Sequence, residues 1–183
     1  MYDHYTIPAY DVNAILKAVL EQVTEAVVLD KEFAGEAHAR VHLFTKDWGR
    51  VVAKATSARK MVSKLGPHLE PLMVTTVRLL QKNHLPQAVD ALRTGKLPFS
   101  ALPGLRLVKA LALEYEADQA LWEAVRHPER AENHARAILS ILGYDPQFAA
   151  CAWCGEKPHY FSLQALSFSC SACLPQAGEC VSV

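Results

Sequence analysis

The chain has 183 residues, of which 51% are hydrophobic, so it is long enough to bury a core and is not a disordered protein. Its 19 basic and 19 acidic residues cancel, which excludes a uniformly basic, polyanion-binding chain. The charge is nevertheless unevenly distributed. Residues 23–82 hold ten Lys or Arg against six Asp or Glu, whereas residues 110–150 hold three against seven. Any affinity for a polyanion must therefore come from local asymmetry of charge.

The sequence predicts neither a signal peptide nor a membrane span. The first residues carry Asp3 and Asp11 in place of the basic and apolar regions of a signal peptide. The longest uncharged run, residues 158–178, is rich in serine and contains two cysteines, so it is a poor membrane span. We therefore expect a cytoplasmic protein. In that reducing compartment, cysteines are more often metal ligands than disulfide partners.

The N-terminal part of the chain is predicted to begin with a helix. Apolar side chains recur at helical spacing over residues 10–22, and Asp11 suits a cap, so we assign residues 1–22 to a helical extension. A first strand is predicted over residues 25–33, which are rich in residues typical of strands. Gly35 then turns the chain into a second strand.

The second and third strands form a predicted hairpin with the period-two alternation of a half-buried sheet. On the second strand, one face carries Glu36, His38, Arg40 and His42, and the other carries Ala37, Ala39, Val41 and Leu43. The turn at residues 46–49 ends in a glycine, which can take the positive φ of a tight hairpin. On the third strand, the outward face carries Arg50, Val52 and Lys54, and the inward face carries Val51, Ala53 and Ala55.

Two more strands complete a predicted barrel. β-Branched residues predict a strand over residues 72–82, and residues 83–84 are typical of a turn. Residues 86–92 suit a helix by propensity and a strand by context, and we interpret them as a fifth strand. Five short antiparallel strands, with a loop or helix between the third and fourth, are the plan of an OB-type barrel, whose open face binds oligonucleotides. We place this domain at residues 23–94.

A short helical domain is predicted after the barrel, which makes the fold class α+β. The strand pattern is broken by Gly95, Pro98, Pro103 and Gly104. Apolar residues at helical spacing then predict one helix over residues 103–126 and a second over residues 129–142. We expect Tyr115 and Trp122 to be core residues. The helical domain is assigned to residues 95–150.

Four cysteines form the most specific motif in the chain. Cys151 and Cys154 make one Cys-x-x-Cys pair, and Cys170 and Cys173 make a second, with fifteen residues between the pairs. Two such knuckles can fold back so that four thiolates surround one Zn²⁺ tetrahedrally. A complete set of four ligands leaves no open coordination position. We therefore predict one structural zinc in a module over residues 151–183.

Two other residues near this motif are not assigned to the metal. His159 lies between the pairs, but four cysteines make a histidine ligand unnecessary. Cys180 falls outside the pattern, in a tail that we expect to be frayed, and we interpret it as a free thiol of no consequence. Unliganded or oxidised thiols are the alternative to the zinc site.

The outward basic face of the hairpin is the predicted binding surface. No Asp or Glu occurs from Trp48 to Leu69, and a polyanion is the natural partner of such a surface. The candidate DNA-contacting residues are Arg40, Arg50, Lys54, Arg59, Lys60 and Lys64. Trp48, at the tip, is a candidate for stacking on a base or for packing over the turn. Lys and Arg on a strand face are also ordinary solubilising residues, and this interpretation stays open.

Two blocks of sequence carry a resemblance to a known family. The first contains Gly35-Glu36, Val41-His42-Leu43-Phe44-Thr45, Gly49, Ala53-Lys54, Ala58-Arg59-Lys60, Ser63-Lys64-Leu65 and His68-Leu69-Glu70-Pro71. The second contains Leu142-Gly143-Tyr144-Asp145-Pro146, Cys154-Gly155, Tyr160-Phe161-Ser162 and the second cysteine pair. In this order and spacing, the blocks resemble the bacterial DNA repair and recombination mediator family RecO. The chain departs from the family's pattern in its first 22 residues, in its short helical centre and in Ala165-Leu166-Ser167, where a glycine pair often stands.

The resemblance implies a non-enzymatic protein with an OB fold, a helical middle and a zinc module. Such a protein binds single- and double-stranded DNA, anneals complementary strands and assists recombinase loading. The partners that it implies are the acidic tail of single-strand-binding protein and RecR, and the place of action is the nucleoid in the cytoplasm.

Two other classes of function are weighed against this one. An enzyme has little support, because the chain lacks a Gly-rich phosphate loop, a His-Glu-x-x-His motif and a Gly-x-Ser-x-Gly elbow. His38 and His42 could form half of a metal site on one strand face, but we interpret them as hydrated surface side chains. The alternative function is that of a zinc-ribbon adaptor that binds only proteins, without direct DNA binding.

Overall fold

The computed structural model describes residues 20–36, 38–56, 58, 63–82, 85–174 and 180–183. Most of the helix predicted over residues 10–22 lies outside these residues. The end of that prediction was wrong, because residues 20–22 pair with residues 79–81 in the barrel. The cross-strand ladder satisfies the backbone N–H and C=O groups there, and this pairing overrides the local helical periodicity.

Five strands close the N-terminal barrel. They are β1 Leu20–Ala34, β2 His38–Thr45, β3 Gly49–Ala55, β4 Met73–Lys82 and β5 Leu85–Lys96. Their order around the barrel is β1-β2-β3-β5-β4, and β4 returns to pair with β1. Strands β3 and β5 are parallel, whereas the other pairs are antiparallel. The predicted OB-type barrel is thus confirmed, and the ambiguous segment over residues 86–92 is a strand that continues to Lys96.

The barrel interior follows the period-two alternation of the hairpin. The inward side chains of Ala39, Val41, Leu43, Val51, Ala53 and Ala55 are fully buried. They form one core cluster with residues of β1, β4 and β5, and Trp48 packs against this cluster from the hairpin tip. The short 3-10 helix Gly66–His68 lies in the connection between β3 and β4, and the backbone N–H of Arg93 on β5 donates to Nδ1 of His68.

The helical domain contains three helices in the described part of the chain. They are α1 Leu102–Leu111, α2 Gln119–Arg126 and α3 His134–Ile141. Asp118 and Asn133 cap α2 and α3, because each side chain accepts a hydrogen bond from a backbone N–H of the first turn. None of the described helices is long and apolar enough to cross a membrane.

The prediction of a single helix over residues 103–126 was wrong, because this segment contains two helices, α1 and α2. The chain leaves the helix at Ala112, and the backbone N–H of Tyr115 donates to the carbonyl of Arg50 at 3.0 Å. This contact with the barrel overrides helical propensity, and Asp118 then begins a new helix. Trp122 is 2% exposed, so it is a core residue as predicted, whereas Tyr115 is 44% exposed and is not.

A second hydrophobic core joins the barrel to the helices. Val27, Leu29 and Phe44 point away from the barrel interior and pack with residues of α1, α2 and α3. The ring centroids of Phe44 and Trp122 are 6.3 Å apart, and the two rings are stacked. One side of the outer barrel surface is therefore not exposed to solvent but is covered by the helical domain.

A polar cluster lies at the edge of this junction. Lys109 on α1 donates hydrogen bonds to Asp30 at 2.5 Å and to Glu32 at 2.9 Å, both on β1. His42 is buried beside them, with Nε2 2.9 Å from Oε1 of Glu32. The interpretation of His42 as a hydrated surface side chain was wrong, because α1 covers this part of the strand.

The C-terminal module contains a small sheet. Strands β6 Tyr160–Ser162, β7 Ser167–Ser169 and β8 Cys180–Ser182 pair in the order β7-β6-β8. Phe161 is fully buried and extends the helical core, with its ring centroid 5.1 Å from that of Tyr144. Cys180 does not lie in a frayed tail as expected, because it pairs with Ser162 in the sheet and the adjacent Val181 is buried.

The close approach of β3 to the loop before α2 predicts an unequal effect of two glycine substitutions. Gly49 has φ +64, and a Cβ atom on it would lie 1.8 Å from the backbone oxygen of Glu116. Because the loop would have to move, Gly49→Ala should lower the free energy of unfolding by on the order of 2–4 kcal/mol. Gly35→Ala is the control, since Gly35 has φ +75 but nothing within 4 Å of its Cβ position. It should cost only about 1–2 kcal/mol, and equal losses in urea unfolding would contradict the contact.

The polar cluster predicts how His42 titrates. Burial and the positive charge of Lys109 lower the pKa of His42 below its ordinary value, although Glu32 and Asp30 partly oppose them. The folded state then binds fewer protons than the unfolded state near pH 6.5, so stability falls as pH drops through this region. Lys109→Met should raise the pKa of His42, because it removes a cation and leaves two carboxylates. A proton NMR titration tests this, with the exposed Lys157→Met as control, and an unchanged pKa in Lys109→Met would contradict the cluster's geometry.

Candidate metal centre and nucleic-acid interface

The four predicted cysteine ligands come together in one cluster. The Sγ atoms of Cys151, Cys154, Cys170 and Cys173 all lie within 4.8 Å of one another, and those of Cys154 and Cys170 are 3.5 Å apart. Four thiolates around one tetrahedral Zn²⁺ are separated by about 3.8 Å, given Zn–S bonds of about 2.3 Å. The donor set and its spacing therefore fit a metal ion of this size.

The first knuckle is shaped by its backbone. Gly155 has φ +77 and donates its N–H to the carbonyl of Cys151 at 2.9 Å, which closes a tight turn around the two sulfur atoms. Burial raises the pKa of the Cys151 thiol, but the backbone N–H groups of Trp153, Cys170 and Cys154 together lower it to about 6. These hydrogen bonds therefore favour the thiolate form of Cys151 at neutral pH.

The second knuckle follows β7 directly. Cys170 is the residue after that strand, and the N–H of Cys173 donates to the carbonyl of Cys170 at 3.2 Å. Burial and the neighbouring sulfur atoms of the cluster raise the pKa of Cys173 to about 12. Four thiolates so close together would repel one another, so without a metal ion some of the sulfur atoms keep their protons. A dication that binds here would have to displace those protons.

The module's other candidate ligand does not belong to the cluster. His159 is exposed, and its backbone N–H donates to Ser169 at 2.9 Å within the small sheet. In the described part of the chain, the four cysteines are the one group of His, Cys, Asp or Glu side chains placed to hold a metal ion. This agrees with the prediction that His159 is not required.

The basic face of the hairpin is divided by the helical domain. Arg40 and Lys54 are exposed and are direct Cα partners in the β2–β3 ladder, so their side chains lie side by side on the outer surface. Lys64 is also exposed, in the connection that follows β3. Arg59 and Lys60 lie outside the described residues.

Arg50 lies on the same outer face but is engaged by the helical domain. Its Nε donates to the carbonyl of Ala112 at 2.7 Å, and Nη1 lies 3.1 Å from Oε1 of Glu114. To contact a phosphate, Arg50 would have to leave this carboxylate, so its role as a DNA contact stays a prediction. Glu114 was not predicted as a partner of Arg50, because helical periodicity placed this residue inside a continuous helix. The run of acids at residues 114–118 was the available signal.

Two family models match this chain, one over the barrel and one over the region that contains the cysteine cluster. Residues 20–92 match the family described as Recombination protein O N terminal, and residues 134–183 match the family described as Recombination protein O C terminal. The matched regions thus contain the barrel strands and the cysteine cluster.

Curated relatives named DNA repair protein RecO span both regions. One from Dehalococcoides mccartyi is 30% identical over an aligned length of 193, and the alignment covers 87% of this chain and 73% of the relative. One from a Nocardioides species is 29% identical over 180 residues, with 81% and 72% covered. One from a Thermoanaerobacter species is 24% identical over 173 residues, with 82% and 70% covered. The chain belongs to the RecO family of DNA repair proteins.

Proposed function

We propose that this protein is a DNA-binding recombination mediator that binds single- and double-stranded DNA. The observation that carries the proposal is the pair Arg40 and Lys54, two adjacent exposed cations on the part of the outer barrel surface that the helices leave open. Neither has a carboxylate partner among the described residues, in contrast to Arg50. Such cations are available to neutralise phosphates, whatever the base sequence.

The same geometry suits strand annealing. Contacts to phosphates reduce the repulsion between two strands and leave the base edges free to pair. Family membership supports a mediator that anneals complementary strands, assists recombinase loading and works with RecR and single-strand-binding protein at the nucleoid in the cytoplasm. We infer no catalytic turnover, since the cysteine cluster supplies four protein ligands and leaves no position for an activated water.

We propose further that the cysteine cluster holds one structural Zn²⁺. Tetrahedral sulfur sites select zinc or iron, and the knuckle geometry with backbone N–H groups directed at sulfur is suited to either ion. Zinc is the ion that such a site uses to stabilise a small module. Cys151, Cys154, Cys170 and Cys173 would hold it, and the module in turn packs Phe161 against the helices.

The DNA proposal predicts a change in salt dependence. Charge reversal in Arg40→Glu with Lys54→Glu should weaken binding of single strands of any sequence. It should also flatten the log-log salt slope by about 1.4, because each phosphate contact on a single strand contributes about 0.7. The matched control reverses Arg136 and Lys157, which are exposed but lie in α3 and the C-terminal module. A parent protein that does not bind DNA, or whose weak binding barely changes with salt, would favour the adaptor function. A double variant that binds and anneals like the parent would contradict the assignment of Arg40 and Lys54 as phosphate contacts.

The zinc proposal predicts a fixed stoichiometry. Elemental analysis of reduced, purified protein should find one zinc and no iron per chain. Cys154→Ser should lose the metal and lower the midpoint of thermal unfolding, because a partial ligand set cannot offset the ordering of both knuckles. Cys180→Ser, in β8 and outside the cluster, should retain the zinc. Iron in place of zinc, or a Cys154→Ser variant with unchanged metal content and stability, would overturn the assignment.

A further inference from the structure

The carboxyl end of β5 carries two cations, Arg93 and Lys96, on either side of the boundary predicted between the barrel and the helical domain. Arg93 and Lys96 are both exposed, and neither has a carboxylate partner among the described residues. In contrast, Lys31 is paired with Glu70 and Arg78 with Glu21 on the same barrel. Arg93 and Lys96 are therefore available to a ligand that carries negative charge.

An exposed aromatic ring lies directly after these cations. Phe99 begins a short 3-10 helix after β5 and is 74% exposed. The ammonium group of Lys96 lies 5.3 Å from the centroid of the ring. Lys96 covers only a small part of the ring, because the side chain of Phe99 remains 74% exposed. Most of the ring surface is therefore open for stacking. The cation–π contact also holds the ring and the charge together.

The fold also brings the connection between β3 and β4 to the end of β5. The hydrogen bond from the N–H of Arg93 to Nδ1 of His68 fixes the β3–β4 connection against β5. Lys64 lies in the same connection, two residues before the 3-10 helix Gly66–His68. The nearby acid Glu70 is paired with Lys31. The patch formed by Arg93, Lys96 and Phe99 is thus basic, with one open aromatic ring.

We propose that this patch is a base-stacking subsite for single-stranded nucleic acid, in which Phe99 stacks on an unpaired base and Arg93 and Lys96 contact the flanking phosphates. A charged patch alone would suit any polyanion. Proteins that bind single strands combine cations, which contact the phosphates, with an exposed aromatic ring, on which a base stacks. In duplex DNA the bases are stacked on one another and are not available to Phe99. The inference rests on the proposed function, and it adds a preference for unpaired strands.

Two probes separate stacking from charge. The full-length protein is titrated with a labelled oligothymidylate and with an abasic deoxyribose-phosphate strand of the same length. Phe99→Ala should weaken binding of the oligothymidylate by roughly fivefold or more and leave the abasic strand unaffected, since stacking needs a base. Lys96→Gln should weaken binding of both probes.

Phe148→Ala is the matched control, because Phe148 is 84% exposed but lies on the turn before the first knuckle. It should change neither affinity. Thermal unfolding of Phe99→Ala should match that of the parent, as expected for an exposed side chain. If Phe99→Ala binds oligothymidylate like the parent, or loses affinity equally for both probes, the subsite is contradicted.

The outcome also distinguishes this inference from the proposed function. If the parent binds neither probe, both fail. If the parent binds and the Arg40 and Lys54 double variant is impaired while Phe99→Ala is not, only the stacking subsite fails. If a poly-glutamate peptide displaces the oligothymidylate and its affinity depends on Lys96 but not on Phe99, the patch is a site for acidic protein segments and the stacking role is overturned.

Discussion

The helical domain packs on the outer face of β1, β2 and β3, and this packing determines which outward side chains of the barrel are buried. Phe44 points away from the barrel interior and stacks on Trp122, and Arg50 is bonded to Ala112 and Glu114. Loss of a buried aromatic such as Phe44 typically costs about 3–5 kcal/mol, so this junction contributes a large part of the stability of a single domain. The junction also decides which outward cations remain open.

The cations that remain open lie beyond this junction. Among the described residues they include Arg40 and Lys54 on the hairpin, and Arg93 and Lys96 at the end of β5. The acidic loop before α2 contacts the barrel at Gly49 and Arg50, and Glu114 of this loop forms an ion pair with Arg50. The C-terminal module is attached to the same core through Phe161. A metal that orders its knuckles would therefore support the helices as well.

The features that local chemistry determines could be predicted from the sequence. Alternation at Val41 and Ala53 identified the barrel interior, and two Cys-x-x-Cys pairs identified the metal cluster. The break after Ala112 and the burial of His42 could not be predicted in this way. Both arise from contacts between the barrel and the helical domain, whose residues are distant in sequence. The periodicity of a single helix or strand carries no information about such contacts. Cys180 shows the same effect, since pairing with Ser162 orders a segment that has no strong signal of its own.

We propose that the helical domain leaves one part of the basic barrel surface open to nucleic acid and closes another. Lysine acetylation measured by mass spectrometry, with and without a saturating single-stranded oligonucleotide, tests it at named residues. Lys54, Lys64 and Lys96 should react readily in the free protein and be protected by the strand. Lys109, held by Asp30 and Glu32, should react slowly in both states. Unchanged reactivity of Lys54 in the presence of the strand, or protection that appears only at lysines outside the barrel, would contradict the account.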